Sequence, residues 1–357
     1  MSIMKKSLFY IIFALVCLSA FITIWLNFLW WPTVEQAQGY TYYLRPGISK
    51  RVLITQLTQQ GIIKHEHLFS LYVYLHKNNQ LKTGEYFFAN GATPISIWKQ
   101  ITTGTGLLYR PFTIIPGWSF VQLKHALSQV PGLKHLTAKL NDNQIMAHLG
   151  AGALAPEGEF FPETYLYTKG ISDLVILKRA FDLMQSRLKT AWLNRAPALP
   201  YTNDYEALIA ASLIEKEAYL SLERPIIAGV LVNRLRKEML LQFDPSVIYG
   251  LGERYHGKIY KENLQEDTVY NTYIHKGLPP TPIAMPSESA IQAALHPTQH
   301  DYYYFVSNGN GSHHFSKSLV EHQAAVNATF KMRAGFFNDV LVRHHMESLM
   351  EQNVQKP

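Results

Sequence analysis

The residues with the clearest chemical potential lie between Leu208 and Tyr249, where an acid falls at a position that disfavours charge. The run Leu213-Ile214-Glu215-Lys216-Glu217-Ala218 reads as helix, and on its wheel Glu217 shares a stripe with Ala210, Leu213 and Ile214. An apolar wall penalises a carboxylate, so such a group keeps its proton toward neutral pH and can serve as a general acid. A glutamate at the edge of a surface stripe is the commoner explanation of such a pattern. Glu215 is rotated by about 200° from Glu217 and groups with Ser212 and Tyr219 on a more polar side, which suits a surface or ion-pairing role. Glu217 is therefore the candidate acid.

Downstream, Asn233-Arg234, Gln242-Phe243-Asp244-Pro245, Tyr249-Gly250 and Asn271-Thr272-Tyr273 interleave amide and phenol groups with aromatic rings. This composition suits a sugar-binding groove, offering hydrogen bonds to hydroxyl and acetamido groups and flat faces for ring stacking. Gln242, Asn271 and Tyr273 are the candidate substrate contacts. The competing explanation is turn chemistry, in which Asn, Asp, Gly and Pro are common. No Gly-x-Ser-x-Gly elbow, phosphate loop or His-Glu-x-x-His pair is present. His313, His314 and His322, or His344, His345 and Glu347, could gather around a metal, but without a recognised ligand spacing no metal is expected.

Several elements must position these residues. Asn203 and Glu206 resemble a capping box that opens a helix running to about Leu220, and Pro225 opens the next, to about Lys237. Residues 243–300 read as long ordered loops with short elements. Tyr302–Val306 and His314-Phe315 form two strands joined through Asn308-Gly309-Asn310-Gly311. Upstream, strands are expected at Tyr40–Leu44, Glu85–Phe88 and Phe112–Ile115. Helices are expected near Arg51–Gln60, Leu68–His76, Thr93–Thr103, Phe120–Gln129 and Leu174–Trp192, and Pro197–Pro200 marks a linker. The fold class is α+β.

The chain of 357 residues is 47% hydrophobic and 17% charged, so it is folded and long enough for two or three domains. Its net charge of +7 suits an anionic partner, yet no Lys/Arg stripe or nucleic-acid motif accompanies it, and no nucleic-acid partner is expected. After Lys5-Lys6 no charge appears until Glu35, and Leu8–Trp31 spans roughly 36 Å as helix, enough to cross a bilayer. Trp25, Trp30 and Trp31 fall where an interfacial aromatic belt would lie, and the two lysines favour a cytoplasmic N-terminus with an exported body. A cleaved signal peptide is the alternative, but its apolar core should be shorter, and Ala37-Gln38-Gly39 lies well beyond the run. Cys17, the single cysteine, sits inside this segment, so the body has no internal disulfide.

Glu215-Lys216-Glu217, Val232-Asn233-Arg234-Leu235, Leu241–Gly250, Tyr270-Asn271-Thr272-Tyr273 and Gly277-Leu278-Pro279-Pro280 stand in an order and spacing that resembles the YceG-like family, the MltG-type endolytic murein transglycosylases. The resemblance extends over Phe161–Tyr165 and His296-Pro297, and to Gly84-Glu85-Tyr86, a region similar to a LysM-like module. It implies a cytoplasmic stretch at 1–6, a transmembrane helix at 7–31, a small LysM-like module at 32–106, a mixed α/β catalytic domain at 107–345 and a tail at 346–357 that frays. It also implies that the catalytic glutamate is Glu217, and that the chain is anchored in the inner membrane with its body in the periplasm. There it would cut glycan strands internally between N-acetylmuramic acid and N-acetylglucosamine, leaving 1,6-anhydro ends and terminating nascent strands. One carboxyl suffices where an internal hydroxyl is the nucleophile. No cofactor is implied, and the expected partners are peptidoglycan, the inner membrane and peptidoglycan synthases. Two positions depart from the family: Ala218 where a hydroxyl residue often follows the glutamate, and Pro116 where an acid often precedes Gly117. A non-catalytic wall-binding scaffold and a water-using muramidase are the competing functions.

Overall fold

The computed structural model describes residues 2–76 and 78–329. The tail after Glu347 and the group His344, His345 and Glu347 lie outside the described residues. The chain folds as two compact units. The first comprises Met1–Phe112, Gln129–Leu136 and Leu166–Val175; the second comprises Thr113–Ser128, Thr137–Tyr165 and the chain from Ile176 onward.

The first unit opens with helix α1 (Ser2–Trp30), which is long and apolar enough to cross a membrane over Lys6–Trp30, with a mean hydropathy of 2.5. Its surface is exposed as far as Ile24. Trp25 does not stand free as part of an aromatic belt. Its indole Nε1 donates to the Leu68 carbonyl at 3.1 Å, and Phe28 and Leu29 enter the core of this unit, while Trp30 and Trp31 remain exposed. Strand β1 (Tyr40–Leu44), helices α2 (Lys50–Gln59) and α3 (Glu66–Leu75), strand β2 (Gly84–Phe88) and helix α4 (Pro94–Thr103) follow. β1 and β2 pair antiparallel from Tyr40↔Phe88 to Leu44↔Gly84. This register turns Tyr42, Leu44, Tyr86 and Phe88 onto Leu53, Leu57, Phe69, Ile97 and Trp98. α4 is set by its ends: Thr93 and Ser96 exchange side-chain and backbone bonds, Pro94 sits in the first turn, and Gly104 closes the helix at φ 82°, a conformation that strains any residue with a Cβ.

Beyond β3 (Tyr109–Thr113) lie α5 (Phe120–Ser128), α6 (Asp142–His148), β4 (Thr164–Thr168) and α7 (Asp173–Leu193). β4, which the alternation of the sequence does not announce, pairs with β3. The second unit continues with α8 (Asp204–Glu217), α9 (Arg224–Arg236), α10 (Asp244–Leu251), α11 (Lys261–Leu264), α12 (Glu288–Leu295), and the antiparallel hairpin of β5 (Tyr304–Ser307) and β6 (His313–Ser316). Every residue of α8 from Ala207 to Ile214 is buried. The helix is therefore central and does not carry one apolar stripe, because α9, α10 and α12 all pack against it. Ser212, read from sequence as part of a polar side, is wholly buried: it donates to the Ile209 carbonyl at 2.7 Å and accepts from the Ile283 amide at 3.0 Å. α12 was hidden in a stretch read as loop; Ser287 caps it, and its Ala290, Ile291, Ala293, Ala294 and Leu295 complete the cover of α8.

Glu85 is buried in the first unit and is paired with Arg110 and with Lys169 at 3.1 Å. Burial opposes its charge, but hydrogen bonds and the two cations win and hold its pKa below the ordinary 4.5. A depressed acid adds stability above its unfolded value and loses it as pH falls through the folded one. Glu85→Gln should cost about 1–3 kcal/mol at pH 7, and urea unfolding should find that deficit shrinking below pH 4.5.

Candidate active site

Local sequence chemistry places the candidate acid at the last turn of α8. Asn203 caps its start, accepting from the Glu206 amide at 2.9 Å, while Glu206 reaches back to the amide and hydroxyl of Thr202. The helix ends three residues earlier than the sequence suggests, because Ala218 turns to an extended conformation (φ −89°, ψ 102°). Glu217 is thus the C-terminal residue, where the partial negative charge of the last carbonyls adds to the cost of ionising it. The residue is half-buried, but its Oε2 is enclosed and has no hydrogen-bond partner. Burial, and then the charge of Asp244, push its pKa up to about 8.

Glu217 opens into a cavity of about 540 Å³. Gln242, Asp244 and Tyr273 line it from one side, Arg234 and Leu241 contribute to its wall, and Tyr304–Ser307 and His313 of the hairpin close the other. The spacing of the two sequence motifs is explained by their bonding. The Gln242 amide donates to the Thr272 carbonyl at 3.0 Å, the Phe243 amide to Thr272 Oγ1 at 2.9 Å, and Ser246 Oγ lies 2.8 Å from the same hydroxyl. Gln242 itself takes a left-handed conformation (φ 56°), which aims the turn into Asp244. The Tyr273 hydroxyl donates to Asp244 Oδ1. Burial, with Asp244 second, raises the Tyr273 pKa, so it stays a donor.

Arg234 is the organiser that the sequence reading passed over. Buried in α9, it donates to the carbonyls of Tyr303 (2.6 Å), Leu240 (3.1 Å) and Leu241 (2.6 Å) and to Gln242 Oε1 (3.2 Å), with its guanidinium 5.2 Å from the Tyr304 ring. One side chain thereby fixes both walls of the cavity. An arginine that follows the apolar run Ile226–Val232 in the last turn of α9 was the signal available in sequence.

The three proposed contact residues divide. Gln242 and Tyr273 line the cavity, whereas Asn271 does not: it is wholly buried, donating to the Leu264 and Glu266 carbonyls and accepting from the Tyr273 amide, so it shapes the loop. Asp244, a second carboxylate in the cavity, was not singled out from sequence. Glu215 is an ion-pairing residue as expected, but not a surface one. Its side chain is only 6% exposed and meets Arg224 at 2.8 Å and the Ser287 amide at 2.9 Å. The histidines are separated in role: His313 Nδ1 lies 2.7 Å from Glu223, His322 stacks on Tyr304, and His314 faces solvent. Among the described residues no three acid, histidine or cysteine side chains gather to hold a metal.

Such an arrangement, a carboxyl of raised pKa facing an aromatic and amide-lined cavity in a mixed helix-and-strand body, is a candidate acid–base site for a polar, ring-bearing substrate. The chain belongs to the YceG-like family, whose model matches residues 42–328. It is 31% identical over 301 residues to the endolytic murein transglycosylase of Bacillus subtilis (strain 168), covering 78% of this chain and 81% of that protein. The protein of the same name from Streptococcus pneumoniae (serotype 2, strain D39) is 26% identical over 304 residues; these cover 76% of this chain but only 55% of that relative. The crystal structure of a yceG-like protein from Listeria monocytogenes superposes with a TM-score of 0.53 at 28% identity, covering 81% of this chain and 99% of that one.

Glu215 and Glu217 should respond oppositely to amide substitution. Glu215→Gln breaks a buried ion pair and should cost about 2–4 kcal/mol. Glu217 holds its proton more tightly folded than unfolded, so the protein loses stability as pH rises from the ordinary 4.5 through about 8. Glu217→Gln removes that loss. Melting curves at pH 5.5 and 9 should show the variant gaining on wild type by up to a few kcal/mol at the higher pH.

Proposed function

We propose that this chain is an endolytic murein transglycosylase, a lyase that cleaves peptidoglycan glycan strands internally, with Glu217 as its acid and then its base. The observation that carries the residue assignment is that Glu217 lines the cavity while its Oε2 is enclosed and unpartnered. In this mechanism the protonated carboxyl gives its proton to the glycosidic oxygen as the C1–O4 bond between N-acetylmuramic acid and N-acetylglucosamine breaks. The resulting carboxylate takes the proton of the muramic C6 hydroxyl, and O6 closes on C1 to give the 1,6-anhydro end. No water is consumed and Glu217 regains its proton, so one carboxyl serves both steps. Gln242 and Tyr273 are the proposed substrate contacts. Asp244, held by the Tyr273 hydroxyl, keeps Glu217 protonated by its charge.

The proposed setting is the inner membrane, with α1 as a single-pass anchor, the body in the periplasm and peptidoglycan synthases as neighbours. Residues 32–106 are proposed as a LysM-like module, a reading supported by two helices set between two antiparallel strands, and 107–345 as the catalytic domain. One observation favours a second reading. Asp244 shares the cavity, and a second carboxylate could activate water, which would make the enzyme a muramidase.

Mass analysis of digested glycan strands separates the two, with anhydro ends expected and reducing ends supporting the muramidase. Glu217→Gln should lose about 10²-fold or more of the rate while remaining folded. Near-normal cleavage by that variant would sink the assignment. The pH profile of kcat/KM should fall about tenfold per unit above a pH of about 8, and Asp244→Asn should move that limb to lower pH.

A further inference from the structure

The first unit carries an exposed apolar set that its own core does not use. On α3, Phe69 and Val73 face inward, but Leu71, Tyr74 and Leu75 are 36%, 69% and 60% exposed. They stand at i, i+3 and i+4, so they form one face. The helix is also graded along its axis: Glu66, His67 and Ser70 occupy the first turns, and the last five residues, Leu71–Leu75, are all apolar or aromatic.

The direction of α3 relative to α1 gives this face its meaning. Phe28 meets His65 with ring centroids 5.4 Å apart, and one turn earlier on α1 Trp25 bonds to Leu68. Moving back along α1 toward its exposed stretch therefore means moving forward along α3. An apolar groove of about 340 Å³ lies at this junction, lined by Ile24, Phe28, Trp31 and Leu68 among others. The exposed stretch of α1 from Lys6 to Ile24 is nearly 30 Å long at 1.5 Å per residue, about one hydrocarbon thickness. That sets the edge of the bilayer close to Trp25, level with Leu68. Leu75 lies seven residues further on, up to about 10 Å deeper, the depth to which interfacial helices sink.

We infer that α3 is a second membrane contact: the Leu71, Tyr74 and Leu75 face rests in the headgroup–acyl boundary of the bilayer that α1 crosses, holding the first unit against the membrane surface. This rests on α1 spanning the bilayer and not on the role of Glu217.

The test uses the full chain with Cys17→Ala and a single new cysteine, Tyr74→Cys or Gln59→Cys, each carrying an environment-sensitive fluorophore. Both positions are exposed, so the label displaces no core. The proteins are reconstituted in phosphatidylcholine–phosphatidylglycerol vesicles with and without brominated acyl chains. The label at residue 74 should shift its emission to the blue and lose much of its intensity to bromine, while the label at residue 59 should do neither. A water-like spectrum at residue 74 overturns the inference. So does a blue shift insensitive to bromine, which would mean that a second copy or another protein covers the face. Retention in the vesicles after alkaline extraction reports on α1 separately.

Discussion

The second unit is organised by a helix with no solvent face. α8 is buried all round over Ala207–Ile214, and a helix of that kind must be enclosed by other elements. α9, α10 and α12 pack against it, and the Ser212 hydroxyl ties the Ile283 amide to the helix. The consequence falls at the exit. Where α8 stops, the side chain at Glu217 is left enclosed beside the charge of Asp244, and both disfavour its ionised form.

The two acids at the end of α8 show how little sequence distance separates two fates. Glu215 has every oxygen engaged by Arg224 and Ser287 and locks α8 to the start of α12. Glu217 has an enclosed oxygen with no partner. A fully satisfied buried charge is structural cement, whereas an unsatisfied one is a store of proton affinity. Asp244 increases that store from across the cavity, and Tyr273 keeps Asp244 in place. Arg234 performs the corresponding task for the walls, since its donors reach the 240–242 turn and Tyr303 at the entry to the hairpin at once. A lysine, a point charge on a flexible stem, could not span those carbonyls in one geometry.

The first unit follows a different rule, that of a small core stapled at its edges. Its strands are only five residues long, so their pairing is secured by what packs on them: Trp98, Phe69 and the end of α1. Because Phe28 and Leu29 belong to that core, the apolar helix is not hung on a flexible tether.

Much of this was legible in the sequence because it depends on local chemistry. The apolar run that becomes α1, the Pro94 opening of α4, the Asn203 cap of α8 and the Asn-Gly hairpin between β5 and β6 are all fixed by neighbours within a few residues. The remainder required distant partners. Whether Ser212 and Glu215 lie outside or inside depends on Ile283 and Ser287, more than seventy residues later, and Trp25 is claimed by a carbonyl on α3. Asn271 and Tyr273 look alike in a turn-rich stretch, but Thr272 binds the backbone of Gln242 and Phe243, turning Tyr273 into the cavity and Asn271 into the loop's own hydrogen bonds. Sequence determined which groups could do chemistry. Tertiary structure decided which of them were left without a partner, because satisfying or stranding a polar atom depends on elements that meet only in the folded chain.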